Sequence, residues 1–370
     1  MPAPLLPRSW RCQCRRVLFF RNTECLGCGA QLGYEPLSGR LNALAEGPRP
    51  GTWVRAGVRR EKGAVYRRCA NYDSPAACNW LVTIESGADS SQPFCIACRL
   101  NRTIPDLSVN GNGVLWGRLE TAKRRVLSSL IALGLPVRSR LSEDPDNGLA
   151  FDFLADTPGH HRILTGHASG VITVNIEEAE NSTREQTRED MDEPYRTLVG
   201  HFRHELGHYY WDRLIAGTPL LEVFRRLFGD ERVDYSEALR IRREQGPPPD
   251  WPQRFISAYA SSHPWEDWAE TWAHYLHMLD TLATAASFGI REKGIHLPCE
   301  PFTRKALSAP KNAGAQEFLD LVNRWVRLST AMNEMARSMG QPDFYPFALP
   351  EAAVGKLQFI HGAIQSSRPA

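Results

Sequence analysis

The pentapeptide His204-Glu205-Leu206-Gly207-His208 constrains this 370-residue chain more than any other segment. Residues four apart on an α-helix stand one above the other, so His204 and His208 can grip a single ion. Glu205 then projects about 100° round the axis, toward a water on that ion. Two imidazoles and a carboxylate so spaced are what a zinc hydrolase needs, two metal ligands and a base beside them. The arrangement works only on a helix, and the flanking sequence supplies one. From Glu193 to Leu214 the apolar Leu198, Val199, Phe202, Leu206, Tyr210 and Leu214 recur every three or four residues, with no proline after Pro194. A glycine inside a helix costs about 1 kcal/mol against alanine, so Gly207 implies close packing beside the metal. The pattern alone is also met by a buried helix with ordinary histidines, so the rest of the chain has to decide.

A tetrahedral catalytic zinc takes three protein ligands and leaves one position open. The third is sought in His263-Pro264-Trp265-Glu266-Asp267-Trp268-Ala269-Glu270-Thr271-Trp272-Ala273-His274, which starts 55 residues beyond His208. Pro264 marks a helix start, with Glu266 in the first turn and Glu270 one turn on. The two carboxylates share a face with Trp265, Trp268 and Trp272, which is hard to solvate. Either carboxylate can be the ligand on this pattern. A site closed by a fourth ligand would be structural, and His201, His263 and His274 are the candidates for closing it.

Eight of the nine cysteines precede residue 100 and form two tetrads, Cys12, Cys14, Cys25 and Cys28, then Cys69, Cys78, Cys95 and Cys98. Each contains a CxxC and has the span of a zinc ribbon or knuckle. The opening MPAPLLPRSWRCQC lacks a secretory apolar stretch and no 18-residue apolar run is present, so reduced thiolates in a cytoplasmic setting are expected, with no membrane partner. The expected cofactors are therefore two structural zinc ions and one catalytic zinc. Cys299 is expected to be a packed free thiol.

Charge divides unevenly along the chain. Residues 1–125 hold 19 Lys and Arg against 9 Asp and Glu, and the remainder 25 against 33. Arg15-Arg16, Arg59-Arg60, Arg67-Arg68 and Lys123-Arg124-Arg125, among Trp10, Phe19, Phe20, Trp53 and Tyr66, offer a surface for nucleic acid or for an acidic protein. Turn-forming stretches at Gly47–Gly51, Asn110–Gly113 and Gly246–Asp250 punctuate the chain. Helices are expected over Val114–Leu133, Ala315–Met339 and Ala352–Gln365, and strands over Leu149–Leu154 and Gly170–Ile176. The second strand, alternating apolar and polar residues, is expected to pair with an extended peptide. The resulting expectation is an α+β chain: a β-rich zinc-ribbon region with two four-cysteine sites over residues 1–110, then a mostly helical domain with a small sheet over 111–370.

The segments YRTLVGHFRHELGHYYWDRL, ISAYASSHPWEDWAETWAHYLHMLDTL and MNEMARSMGQPDFYPF resemble the zinc-binding metallopeptidase family that carries an N-terminal zinc ribbon, Peptidase_Mx. HELGH followed by EDWAE is similar to gluzincins of the lethal-factor type. The resemblance implies a zincin-like fold and a peptide or protein substrate. It implies Glu266 as the zinc ligand, with Glu270 orienting a ligating histidine. Glu205 becomes the general base, and Tyr259, seven residues before Glu266, an oxyanion donor. Two other readings remain at this point: a ribbon binding module whose HELGH metal is structural, and a protease similar to the SprT-like class, active with DNA.

Overall fold

The computed structural model describes residues 7–58, 63–84, 92–156, 159, 162–180, 197–297 and 302–368. Cys299, Arg59-Arg60 and most of the Glu177–Glu193 acidic run lie outside the described residues. The chain forms two compact units, one of Leu6–Ala132 with Pro136–Arg184, the other of Met1–Leu5, Leu133–Leu135 and Glu185–Ala370. The 110/111 boundary read from the sequence falls inside the first unit.

That first unit opens with a hairpin of β1 (Ser9–Arg11) and β2 (Val17–Phe19), followed by a five-stranded antiparallel meander. The meander runs β3 (Leu32–Glu35), β4 (Arg40–Glu46), β5 (Trp53–Arg55), β6 (Val65–Arg68) and β7 (Leu81–Ile84). Its core is aromatic: the Phe20 and Tyr34 rings meet edge-on at 4.8 Å, and Tyr34 lies 5.1 Å from Trp80. Asn79 binds the two parts together by donating its side-chain amide to the carbonyls of Phe20 (2.8 Å) and Asn22 (3.0 Å). Gly33 has to lack a side chain, because a Cβ there would stand 2.5 Å from Leu81 Cδ2.

Four further strands, β8 (Asn101–Thr103), β9 (Ala150–Leu154), β10 (Gly166–Ala168) and β11 (Val171–Asn175), make a second sheet ordered β10-β11-β9-β8. This order corrects the expected role of the Gly170–Ile176 strand. β11 is interior, parallel to β9 on one side and antiparallel to β10 on the other, so its backbone is not available to a peptide. The cause is a two-residue turn. Ser169 (φ 48°) and Gly170 (φ 82°) are both left-handed, as a tight hairpin requires, and fold β10 back onto the edge β11 would otherwise present.

Helix α1 (Asn112–Ala132) belongs to the same unit, and its charges also correct an expectation. Lys123 and Glu120 form a fully buried ion pair at 2.6 Å, joined by Asn101, and the buried Arg124 donates to the Ala76 carbonyl at 2.8 Å. Neither cation belongs to an exposed basic surface. Arg68 is likewise engaged, stacked between the Trp53 and Tyr72 rings at 4.5 and 3.9 Å, while Arg15 and Arg16 are exposed.

The second unit is helical: α2 (Leu198–Leu214), α3 (Leu220–Phe228), α4 (Tyr235–Gln245), α5 (Trp251–Arg254), α6 (Pro264–Ser287), α7 (Ala315–Ser338) and α8 (Glu351–Ser366). Thr197 caps α2 by accepting from Gly200 N at 3.0 Å. Phe202, Leu206, Tyr210 and Leu214 are buried on α2, as the periodicity requires. The segment after α7 packs inward: Asn333 and Tyr345 exchange two hydrogen bonds, and the Tyr345 hydroxyl meets His274 Nδ1 at 2.7 Å. Among the described residues no helix is long and apolar enough to cross a membrane.

Candidate metal centres

Close contact of α2 with α6 sets the geometry of the HELGH site. A Cβ on Gly207 would stand 3.0 Å from Ala269 Cα and 3.2 Å from Trp272 Cδ1, and the Trp268 indole donates to the Gly207 carbonyl at 2.8 Å. A side chain here would press the two helices apart by a few tenths of an ångström. Helix α6 begins sharply because His263 caps it, accepting from Trp265 N at Nδ1 (3.1 Å). Its Nε2 lies 3.1 Å from the Val233 carbonyl and so carries the ring proton. Burial lowers the His263 pKa, which suits this neutral tautomer.

Between the helices, His204 Nε2 and His208 Nε2 are 3.2 Å apart, and Glu266 Oε2 is 2.9 Å from His204 Nε2. Glu266 Oε1 lies 3.6 Å from His208 Nε2. One donor atom from each of these three residues falls within 4.8 Å of the others. Metal bonds of about 2.0–2.1 Å at tetrahedral angles place ligand atoms roughly 3.3 Å apart, which these spacings match. Glu266 is 1% exposed, and its Oε2 has no hydrogen-bond partner despite its closeness to the imidazole. One donor atom of each residue thus faces the same small space, as the three protein ligands of a single ion would.

Glu270 is held differently. Its Oε1 meets His204 Nδ1 at 2.8 Å, and its Oε2 accepts the Ser257 hydroxyl at 2.7 Å. With Nδ1 so engaged, Nε2 of His204 is the nitrogen turned to the triad, the usual arrangement of a ligating imidazole. Burial opposes charge on His204, but Glu266 and Glu270 outweigh it and push its pKa well above the ordinary value. Glu266 is held well below the carboxylate range, the His208 and His204 charges overcoming burial.

Of the other residues named from sequence, Glu205 is half-buried beside the triad, and the Tyr259 ring lies 5.9 Å from that of His204, tilted by 49°. Neither His263 nor His274 joins the triad; among the described residues the cluster has three protein donors. Two residues escaped the sequence reading. Ser257 sits in the ISAY segment, so a signal existed. Tyr235 donates its hydroxyl to Glu266 Oε1 at 2.6 Å from 31 residues upstream, where no spacing marks it. Burial and the Glu266 carboxylate push the Tyr235 phenol far above its ordinary pKa, so it stays a donor.

The eight cysteines of the first unit are free thiols gathered into the two expected tetrads. The Cys12–Cys28, Cys14–Cys25 and Cys78–Cys95 sulfurs are each 3.6 Å apart, far beyond the roughly 2.05 Å of a disulfide. Zinc–sulfur bonds of about 2.3 Å at tetrahedral angles require about 3.75 Å. Within the first tetrad the shifts oppose one another: the Gly27 and Cys28 backbone N–H groups and the neighbouring thiols lower Cys25 to about 6, while at Cys28 the Ala30 backbone N–H is outweighed by the Cys14 and Cys12 sulfurs, which push it up to about 12. The first tetrad is half open, with Cys14 and Cys28 exposed, whereas the second is wholly buried.

Residues 112–363 match the profile of the family described as "Putative zinc-binding metallo-peptidase", and residues 9–109 match a zinc-ribbon domain. The chain is 40% identical over 364 residues to uncharacterized proteins of Mycobacterium bovis and Mycobacterium tuberculosis, an alignment covering 98% of this chain and 96% of each relative. No solved structure matches.

Proposed function

From the premise that this chain belongs to the zinc-binding metallopeptidase family, we propose that it is a gluzincin-type peptidase working at His204, His208 and Glu266. The observation that supports this reading is a triad with three protein donors rather than four among the described residues, Glu205 following His204 directly on the same helix. A structural site would be closed by a further side chain. His263 has both ring nitrogens committed to backbone groups, which favours the hydrolytic alternative. The two cysteine tetrads are proposed to hold structural zinc ions, one each.

When bound, zinc supplies Lewis acidity that brings a coordinated water toward a pKa of about 7 and polarises the scissile carbonyl. Glu205 takes the proton of the attacking water and returns it to the amide nitrogen as the C–N bond breaks. The products are a carboxylate and an amine. Glu270, itself fixed by Ser257, holds the His204 ring with Nε2 turned inward. Tyr259, beside His204, donates a hydrogen bond to the oxyanion that develops on the carbonyl.

The test is to incubate zinc-loaded protein with a peptide library and read new termini by mass spectrometry. Internal cleavage that recurs at defined residue types is expected. An unchanged library would favour a binding role for the ribbons.

A further inference from the structure

We infer that Tyr235 is a positioning residue that confines Glu266 to one-oxygen metal coordination, an inference that rests on the proposed metal triad. Glu266 uses its two oxygens unequally. Oε1 accepts the Tyr235 hydroxyl at 2.6 Å, while Oε2, buried and without a hydrogen-bond partner, lies 2.9 Å from His204 Nε2. Oε1 is also 3.6 Å from His208 Nε2, near enough to the metal side for a freed carboxylate to bind through both oxygens. The phenol opposes this by taking one lone pair of Oε1 and fixing the carboxylate's orientation. A two-oxygen carboxylate would fill the coordination space that water and a scissile carbonyl need.

Tyr235 is itself tightly placed. It is the first residue of α4, whose N-cap Asp234 accepts from Glu237 N at 2.7 Å. Val233 O, two residues before it, receives the His263 Nε2 proton. Its ring meets His263 edge-on at 5.1 Å and Trp265 at 6.0 Å, both in the turn that leads to Glu266. The capping turn that aims the carboxylate therefore also aims the phenol. Rigid outer partners of this kind are typically worth 10- to 100-fold in metal affinity or activity.

The experiment reads metal rather than turnover. The full chain is stripped at the histidine site with 1,10-phenanthroline, keeping the cysteine sites loaded, then titrated with Co2+ while visible absorption is followed. Tyr235→Phe is expected to bind cobalt about 10- to 100-fold more weakly and to show the fainter d–d bands of a higher coordination number. In a Glu266→Ala background, adding Tyr235→Phe should change affinity less than twofold, because the phenol then has no carboxylate to hold. Unchanged affinity and spectrum in Tyr235→Phe, or an undiminished loss in the Glu266→Ala background, would overturn the inference alone. A wild-type protein that takes up no cobalt at the triad would overturn the metal reading with it.

Discussion

Glu205→Gln is expected to lower peptide hydrolysis about 100- to 10,000-fold while zinc content and fold stay unchanged. The substitution keeps size and polarity and removes only the basic oxygen. Glu205 is not among the three donors, so metal occupancy does not depend on it. Glu205 is half-buried and follows His204 directly, about 100° round the helix, and the proposed mechanism makes it the proton acceptor for the attacking water. The loss corresponds to roughly 3–5 kcal/mol of transition-state stabilisation. His204→Ala and Glu205→Gln should therefore be told apart by metal analysis, the former losing zinc as well as activity. Initial rates on a cleaved library peptide, with zinc measured on the same samples, check this. Activity in Glu205→Gln within tenfold of wild type would rule out its role as base.

The second large effect concerns stability. Lys356, in α8, lies 2.5 Å from Asp267 Oδ2 in α6 and donates to the Arg254 carbonyl at 3.0 Å. Both side chains are almost wholly buried, at 7% and 0% exposure. The ammonium also faces the Phe255 and Phe228 rings at 4.3 and 5.6 Å. Burial alone raises the Asp267 carboxyl strongly, and Lys356 offsets only part of this, leaving it at about 7. Lys356→Met is thus expected to cost about 3–5 kcal/mol, because it leaves the buried Asp267 carboxyl without its cation and forces it to take up a proton or stay unpaired. The double variant Lys356→Met with Asp267→Leu should recover most of that loss, since nothing charged is left buried. Asp267 follows Glu266 directly, so the single variant should also loosen the metal site. Urea unfolding at neutral pH distinguishes the outcomes: a single-variant cost below about 1 kcal/mol would mean the pair contributes little.

How much of this was readable beforehand depends on the range of the interaction concerned. The α2 helix, the two histidines and the cysteine tetrads follow from spacing within a few turns, where periodicity and ligand geometry act directly. Glu266 and Glu270 share one helix face, so spacing alone left either as ligand. What separates them is tertiary, since Ser257 and His204 Nδ1 engage Glu270 while Tyr235 holds one oxygen of Glu266. Gly207 did announce a close approach, and Ala269 and Trp272 are what it meets. The Gly170–Ile176 strand reads as a free edge as long as Ser169-Gly170, with no Asn-Gly or Asp-Gly signal, does not read as a hairpin turn. Lys123 and Arg124 suggested a basic surface because charge says nothing about burial until a partner is known, and Glu120 is reached only once α1 has folded.

The account stands or falls on what occupies the space between His204, His208 and Glu266. Crystals of the zinc-loaded protein, with anomalous scattering recorded on both sides of the zinc edge, address this directly. The expected result is a peak about 2.0–2.1 Å from His204 Nε2, His208 Nε2 and Glu266 Oε2, with a solvent oxygen as its fourth ligand. Absence of a peak there, or closure of the site by a fourth side chain such as Glu270 or His201, would contradict it.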